Sequence, residues 1–143
     1  MQKPIDNLLR YWLPGVAMVV LAVVMLVSGN RDLASVLVAV AVIALALITT
    51  PLIFPRSTDD AGAQQLAGSR TLIYWRPGCT FCIRLRMVLG VRARRAVWVN
   101  VARDPAASAR VRSVNGGNET VPTVFAGGEV HTNPSPAWVR ATL

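Results

Sequence analysis

The segment TLIYWRPGCTFCIRLRMVLG, residues 71–90, carries the strongest indication of the fold of this chain. It opens with an apolar run that has strand character, Thr71 to Trp75, and a pattern with helical spacing follows the cysteines. Cys79 and Cys82 are the only two cysteines in the chain, and they are three residues apart at the predicted junction of strand and helix. A Cys-x-x-Cys at such a junction is typical of a dithiol–disulfide redox motif.

The spacing predicts different roles for the two thiols. Residues i and i+3 share one face of a helix, so the two sulfurs lie within bonding reach of each other. At the first turn, free backbone N–H groups and the helix dipole lower the pKa of Cys79 from a free value of roughly 8.5. We therefore predict that Cys79 is the nucleophile and that Cys82 resolves the mixed disulfide formed on it. Arg76 either adds a cation beside the nucleophile or is an ordinary solvated charge.

Other uses of the cysteine pair are a structural disulfide and a metal site. A disulfide between residues three apart closes too short a loop to stabilise the fold much. A tetrahedral zinc or iron–sulfur site needs about four ligands, and the chain offers two cysteines and one histidine. No metal site within one chain is therefore predicted, and a cluster shared between two chains stays open as an alternative.

The N-terminal part of the chain is far more apolar than the rest. Of the 143 residues 53% are hydrophobic, and no charge occurs between Arg10 and Arg31 or between Asp32 and Arg56. Each run is long enough to cross a hydrocarbon core of about 30 Å as a helix. The sequence therefore predicts a transmembrane hairpin over residues 1–55, with spans at about 11–28 and 33–54. A cleavable signal peptide competes for the first span, but no clear Ala-x-Ala site follows it.

The orientation of this predicted hairpin follows from the basic residues near its spans. The turn carries Arg31, whereas four basic residues lie outside it: Lys3, Arg10, Arg56 and Arg70. Positive charge accumulates on the cytoplasmic side, so we expect a multi-pass protein of the cell membrane with its redox domain in the cytoplasm. A reducing thiol pool there favours a reductase over an oxidase.

The remainder of the chain divides into a linker and an α/β domain. Residues 56–68 are polar without apolar periodicity and are predicted to be a linker. Residues 69–143 give the order β-α-β-α-β-β-α. In this order Asp104-Pro105 and Ser135-Pro136 begin helices, and Gly127-Gly128 forms a hairpin turn.

Three motifs in this domain resemble those of glutaredoxins, and most closely those of the actinobacterial mycoredoxins. They are Cys79-Thr80-Phe81-Cys82, SVNGGNETVPTV at residues 113–124, and TNPS at residues 132–135. The resemblance implies a thioredoxin-like fold with a cis proline, Pro122, opposite the active cysteine. Backbone groups preceding that proline would then pair with an extended thiol substrate. The residues expected to contact substrate are Arg76, Phe81, Val121, Pro122, Thr132 and Asn133.

The resemblance also implies a function. Such a protein reduces mixed disulfides between client proteins and a low-molecular-weight thiol, and it needs no bound cofactor. The segment Thr132-Asn133-Pro134-Ser135 looks like the mycoredoxin version of a stretch that is Gly-Gly-x-Asp-like in glutathione-using members, which implies mycothiol rather than glutathione as co-substrate. The alternatives are a thioredoxin-like dithiol reductase and a non-catalytic membrane module that binds an iron–sulfur cluster or senses redox state.

The expected partners are client proteins, the small thiol and, for the predicted hairpin, the lipid bilayer. The helix after Cys82 and its exit are strongly basic, with Arg84, Arg86, Arg92, Arg94 and Arg95. This face either attracts an anionic membrane or an acidic partner, or is merely solvated. Because the sequence contains no RNA-binding motif, nucleic acid is not an expected partner.

Overall fold

The computed structural model describes residues 4–28, 32–49 and 54–143. The chain divides into two compact units, residues 1–53 and 54–143. The first unit contains two helices, α1 (Pro4–Ser28) and α2 (Leu33–Thr49), which pack against each other. Asp32 caps the start of α2, because its carboxylate accepts a hydrogen bond from the Ser35 N–H at 3.1 Å.

The helices of this first unit require a correction to the sequence analysis. None of the helices in the described part of the chain combines the length and the apolar character that a bilayer span needs. At 1.5 Å per residue, the 17 residues of α2 extend only about 25 Å, against a hydrocarbon core of about 30 Å. The predicted transmembrane hairpin, the membrane location and the lipid bilayer as partner are therefore withdrawn.

The second unit is built on a five-stranded mixed sheet with the spatial order β1-β3-β2-β4-β5. The strands are β1 (Ser57–Thr58), β2 (Leu72–Trp75), β3 (Val97–Asn100), β4 (Thr123–Ala126) and β5 (Glu129–Thr132). β1 and β2 run parallel to β3, whereas β4 is antiparallel to both β2 and β5. All residues of β2 and β3 are buried, as expected of central strands with helices on both faces.

The helices of this unit follow the strands in the expected order. They are α3 (Asp60–Gln65), α4 (Thr80–Leu89), α5 (Pro105–Val114) and α6 (Pro136–Ala141), and a short 3₁₀ helix, Gly90–Arg95, continues α4. From β2 onward the order is β-α-β-α-β-β-α, so the α/β prediction is confirmed for this part of the chain. Asp104 and Ser135 cap α5 and α6 with their side-chain oxygens, as their positions before a proline predicted.

The segment 56–68 differs from the expected linker, because it contains β1 and α3. Its attachment to the sheet is largely polar. The Asp60 side chain is buried, and it accepts hydrogen bonds from the Tyr74 hydroxyl at 2.5 Å and from Arg110 Nε at 2.8 Å. Just before the segment, the ring of Phe54 stacks on that of Trp75 with 3.7 Å between their centroids. This polar segment thus packs on the sheet although its sequence has no apolar repeat from which the packing could be predicted.

Candidate functional site

The two cysteines lie at the start of α4, directly after the buried strand β2. Gly78 has a φ of +76°, a backbone conformation that glycine adopts without a steric penalty, and the chain turns there into the helix. Cys79 is the N-cap residue, and its Sγ accepts a hydrogen bond from the Cys82 N–H at 3.2 Å. Both cysteines are free thiols; Cys79 is half-buried and Cys82 is 0% exposed. One sulfur is therefore accessible and the other lies beneath it.

The pKa values of the two thiols are shifted in opposite directions. A hydrogen bond from the Cys82 side chain, assisted by the Cys82 N–H and the charge of Arg76, lowers the pKa of Cys79 to about 6, although burial opposes the shift. The pKa of Cys82 is strongly raised by the same hydrogen bond, by burial and by the nearby charge of Cys79. At neutral pH this arrangement favours a thiolate at Cys79 and a neutral thiol at Cys82.

The loop before β4 closes the site from the opposite side. The Val121 carbonyl oxygen lies 3.4 Å from Cys79 Sγ, and the Val121–Pro122 peptide bond is cis, as the resemblance implied. Within residues 54–143 the backbone N–H and carbonyl of Val121 make no main-chain hydrogen bond, and the carbonyl accepts only from the Cys79 thiol, so an extended chain can pair with this backbone once Cys79 is a thiolate. The Pro122 carbonyl accepts a hydrogen bond from the Asn133 N–H at 2.7 Å, which brings Asn133 against the loop.

Asn115 holds this loop in place through its side-chain amide. Its Nδ2 donates to the Thr123 hydroxyl at 2.9 Å and lies 3.5 Å from the Thr120 carbonyl, while the Thr132 hydroxyl donates to its Oδ1. The Thr123 hydroxyl in turn donates to the Thr120 carbonyl at 2.7 Å. The Thr132 side chain is therefore engaged in supporting the loop, although the residue lies where the sequence predicted a substrate contact.

The two remaining predicted site residues lie beside the cysteines. Phe81 projects from α4 and is 54% exposed next to the buried Cys82. Arg76 is exposed, and its charge is one of the causes of the lowered pKa of Cys79. Its Nη1 lies 3.7 Å from Glu119 Oε1. Glu119 was missed by the sequence analysis, although its place two residues before Val121 and its charge opposite to that of Arg76 were visible signals.

No group of three or more histidine, cysteine or acidic side chains comes together in the part of the chain that the structure describes.

The glutaredoxin family model matches residues 71–131, which include both cysteines and the cis proline loop. Two Mycobacterium tuberculosis proteins whose names assign them to the glutaredoxins are also similar to the chain. They are MT3292 of strain CDC 1551 and Rv3198A of strain H37Rv, each 44% identical over 72 residues, which cover 50% of this chain and 86% of the relative.

Proposed function

The chain belongs to the glutaredoxin family and is a thiol–disulfide oxidoreductase, and we propose that it reduces mixed disulfides between client proteins and a low-molecular-weight thiol, mycothiol. The observation that carries this proposal is the position of Cys79 Sγ. It lies between the Cys82 N–H at 3.2 Å and the Val121 carbonyl at 3.4 Å, at an accessible helix N-terminus. A nucleophile there faces both an activating donor and a peptide-binding edge.

The reaction begins with the Cys79 thiolate. It attacks the sulfur of the small thiol in the mixed disulfide, forms a new S–S bond and breaks the old one. The client leaves as a thiolate and takes up a proton. A second small thiol, as its thiolate, then attacks the small-thiol sulfur of the mixed disulfide on Cys79, which releases Cys79 as a thiolate and forms the oxidised small-thiol dimer. One disulfide is consumed and one is formed, so the electrons balance.

Substrate binding in this proposal relies on the backbone next to the cis proline. The Val121 N–H and carbonyl have no main-chain partner, and the carbonyl contacts only the Cys79 thiol, so both suit a short β-bridge with the extended chain on either side of the disulfide. Pro122 fixes the loop, and the exposed ring of Phe81 offers an apolar surface beside the cysteines. Asn133, hydrogen-bonded to the Pro122 carbonyl, borders the same edge. Because backbone groups provide most of the binding, many client sequences can be accepted.

Mycothiol is proposed over glutathione on the strength of the resemblance. The segment Thr132-Asn133-Pro134-Ser135 looks like that of mycoredoxins, and both mycobacterial relatives come from an actinobacterium. Mycothiol carries sugar hydroxyl groups and no carboxylate, whereas glutathione carries two carboxylates. The two thiols therefore differ in charge, and the charged groups near Cys79 can distinguish between them.

A second candidate is a dithiol reductase in which Cys82 attacks Cys79 and closes the Cys79–Cys82 disulfide. The proximity of the two thiols favours it, because the Cys82 N–H lies 3.2 Å from Cys79 Sγ and the interaction of the two side chains is the first cause of both pKa shifts. In that case an external dithiol or reductase must return two electrons to the pair after each turnover.

The experiment compares the full chain with Cys79→Ser and Cys82→Ser variants on protein mixed disulfides of mycothiol and of glutathione. We expect Cys79→Ser to abolish turnover and Cys82→Ser to keep activity with excess mycothiol. Equal loss in both variants would support the dithiol mechanism. Inactivity of the wild type on both substrates would contradict the proposed function.

A further inference from the structure

A small cluster of charged side chains lies next to the nucleophile and centres on Glu119. Its Oε1 lies 3.7 Å from Arg76 Nη1 and its Oε2 lies 3.2 Å from Arg112 Nη2, and the Ser108 hydroxyl donates a hydrogen bond to Oε2. The Glu119 side chain is 22% exposed, while those of Arg76 and Arg112 are 48% and 56% exposed. Glu119 is thus fixed from α5 and presents one carboxylate oxygen to Arg76.

Arg76 is the charged group that a small thiol meets when its sulfur approaches Cys79. The Arg76 carbonyl accepts the Cys79 N–H at 3.4 Å, and the guanidinium is close enough to Cys79 to influence its charge. A substrate carboxylate would bind this guanidinium, because charge-assisted hydrogen bonds between arginine and carboxylates are among the strong ones in proteins. Glu119 already forms an ion pair with Nη1 at 3.7 Å, so a substrate carboxylate competes with Glu119 for the guanidinium.

Substrate hydroxyl groups do not have to compete with Glu119 for Arg76. A neutral hydroxyl can donate to a Glu119 oxygen and accept from a free Arg76 N–H at the same time, so it fits between the two charges. Arg112 does not remove the effect, because it pairs with the other carboxylate oxygen, Oε2. The cluster as a whole keeps one net positive charge, so the bias arises from competition at Arg76 and not from a negative surface.

We propose that Glu119 is a positioning residue that sets substrate specificity through Arg76, and that it makes the site prefer small thiols with hydroxyl groups over those with carboxylates. This inference rests on the proposed function and deepens it, because it names the chemistry that separates one class of low-molecular-weight thiol from another at this site.

The test uses two small disulfides that differ in charge, hydroxyethyl disulfide and dithiodipropionate, with the full chain and a Glu119→Gln variant. Glutamine keeps the shape and the acceptor for Ser108 but loses the charge. We expect kcat/KM for the carboxylate disulfide to rise about two- to fivefold relative to that for the hydroxyl disulfide, mainly through KM, a size typical of exposed charge pairs. The ratio of the two substrates cancels any general loss of activity.

Two controls separate this role from a structural one. Glu129→Gln changes the net charge equally at the start of β5, where Glu129 contacts His131, and should leave the ratio unchanged. In an Arg76→Gln background, Glu119→Gln should no longer alter the ratio, because its partner is gone. If the Glu119→Gln variant folds poorly, the Arg76→Gln variant alone still tests the inference. It should lower the rate with the carboxylate disulfide relative to the rate with the hydroxyl disulfide.

The outcomes distinguish the two proposals. A wild type that reduces both disulfides, with the same ratio in Glu119→Gln, would overturn the role of Glu119 and leave the proposed function intact. A wild type that reduces neither these disulfides nor the mixed disulfides of mycothiol and glutathione would overturn the proposed function and this inference with it. A raised ratio that persists in the Arg76→Gln background would also overturn the inference, since the effect would not pass through Arg76.

Discussion

Replacement of Cys82 by alanine should raise the pKa of Cys79. The Cys82 thiol is the first cause of the lowered pKa of Cys79, ahead of the Cys82 backbone N–H at 3.2 Å and the charge of Arg76. Alanine removes the thiol donor and keeps the backbone donor and the arginine. Serine keeps a hydroxyl donor, so Cys82→Ser should shift the pKa less than Cys82→Ala.

The size of the shift follows from the hydrogen bond that is lost. A hydrogen bond to a charged group contributes about 1.5–3 kcal/mol, which corresponds to roughly one to two pKa units. Cys79 is half-buried, so water replaces part of the lost interaction and the lower figure applies. We expect the pKa to rise from about 6 to about 7, which reduces the thiolate at pH 7 from about 90% to about 50%.

The assay is the rate of alkylation by iodoacetamide between pH 4 and pH 9, with the thiolate absorbance in the ultraviolet as a second readout. A more basic thiolate is intrinsically more nucleophilic, by about threefold per pKa unit. Cys82→Ala should therefore react more slowly than the wild type well below pH 6 and faster above about pH 7, so the two profiles cross. Profiles with the same midpoint in the wild type and Cys82→Ala, or equal pKa shifts in the alanine and serine variants, would show that the Cys82 thiol does not stabilise the Cys79 thiolate.

Three further predictions concern stability. In urea denaturation, the free energy of unfolding of the reduced protein should increase by about 1 kcal/mol as the pH rises from about 6 to about 9. The reason is that the pKa of Cys79 is lowered in the folded protein, so in this pH range the unfolded chain binds a proton that the folded protein does not. A Cys79→Ser variant should lack this increase. Phe54→Ala should cost about 3 kcal/mol through the lost stack on Trp75, and a cost near zero would place residue 54 outside the folded unit. Asp60→Asn should cost about 3 kcal/mol, because Arg110 loses its buried partner, and an Arg103→Gln control on an exposed loop should cost almost nothing.

The parts of the fold that the sequence predicted well are those with local signals. An oxygen-bearing residue before proline marks a helix start in any context, and Asp104 and Ser135 both cap helices as expected. Gly127-Gly128 joins β4 to β5 with positive φ at both residues, which is the conformation that a two-residue hairpin requires. The position of the two cysteines directly after β2 was likewise predicted from a local signal, the apolar run that precedes them.

The features that were missed depend on contacts between distant parts of the chain. A two-residue strand and a short polar helix carry no apolar repeat, so the sequence predicted a linker over residues 56–68, whereas the structure packs Asp60 against Tyr74. The ion pair of Arg76 and Glu119 joins residues 43 positions apart, and it forms only when the fold brings their loops together. The predicted transmembrane hairpin was wrong because a density of apolar residues does not fix where a helix begins and ends.

The pKa values of the two thiols are shifted in opposite directions, which explains why the buried Cys82 does not compete with Cys79 for attack on the substrate disulfide. In the reduced protein the hydrogen bond to Cys79, burial and the charge on Cys79 all raise the pKa of Cys82, so the thiolate is favoured at Cys79. When Cys79 enters a mixed disulfide, its charge and the hydrogen bond that its thiolate accepts are lost, and burial is the remaining cause that raises the pKa of Cys82. Arg76 remains and favours a thiolate at Cys82. In the dithiol alternative, the attack of Cys79 on the mixed disulfide thus lowers the pKa of Cys82 before Cys82 attacks, so the order of the two attacks follows from the loss of charge at Cys79.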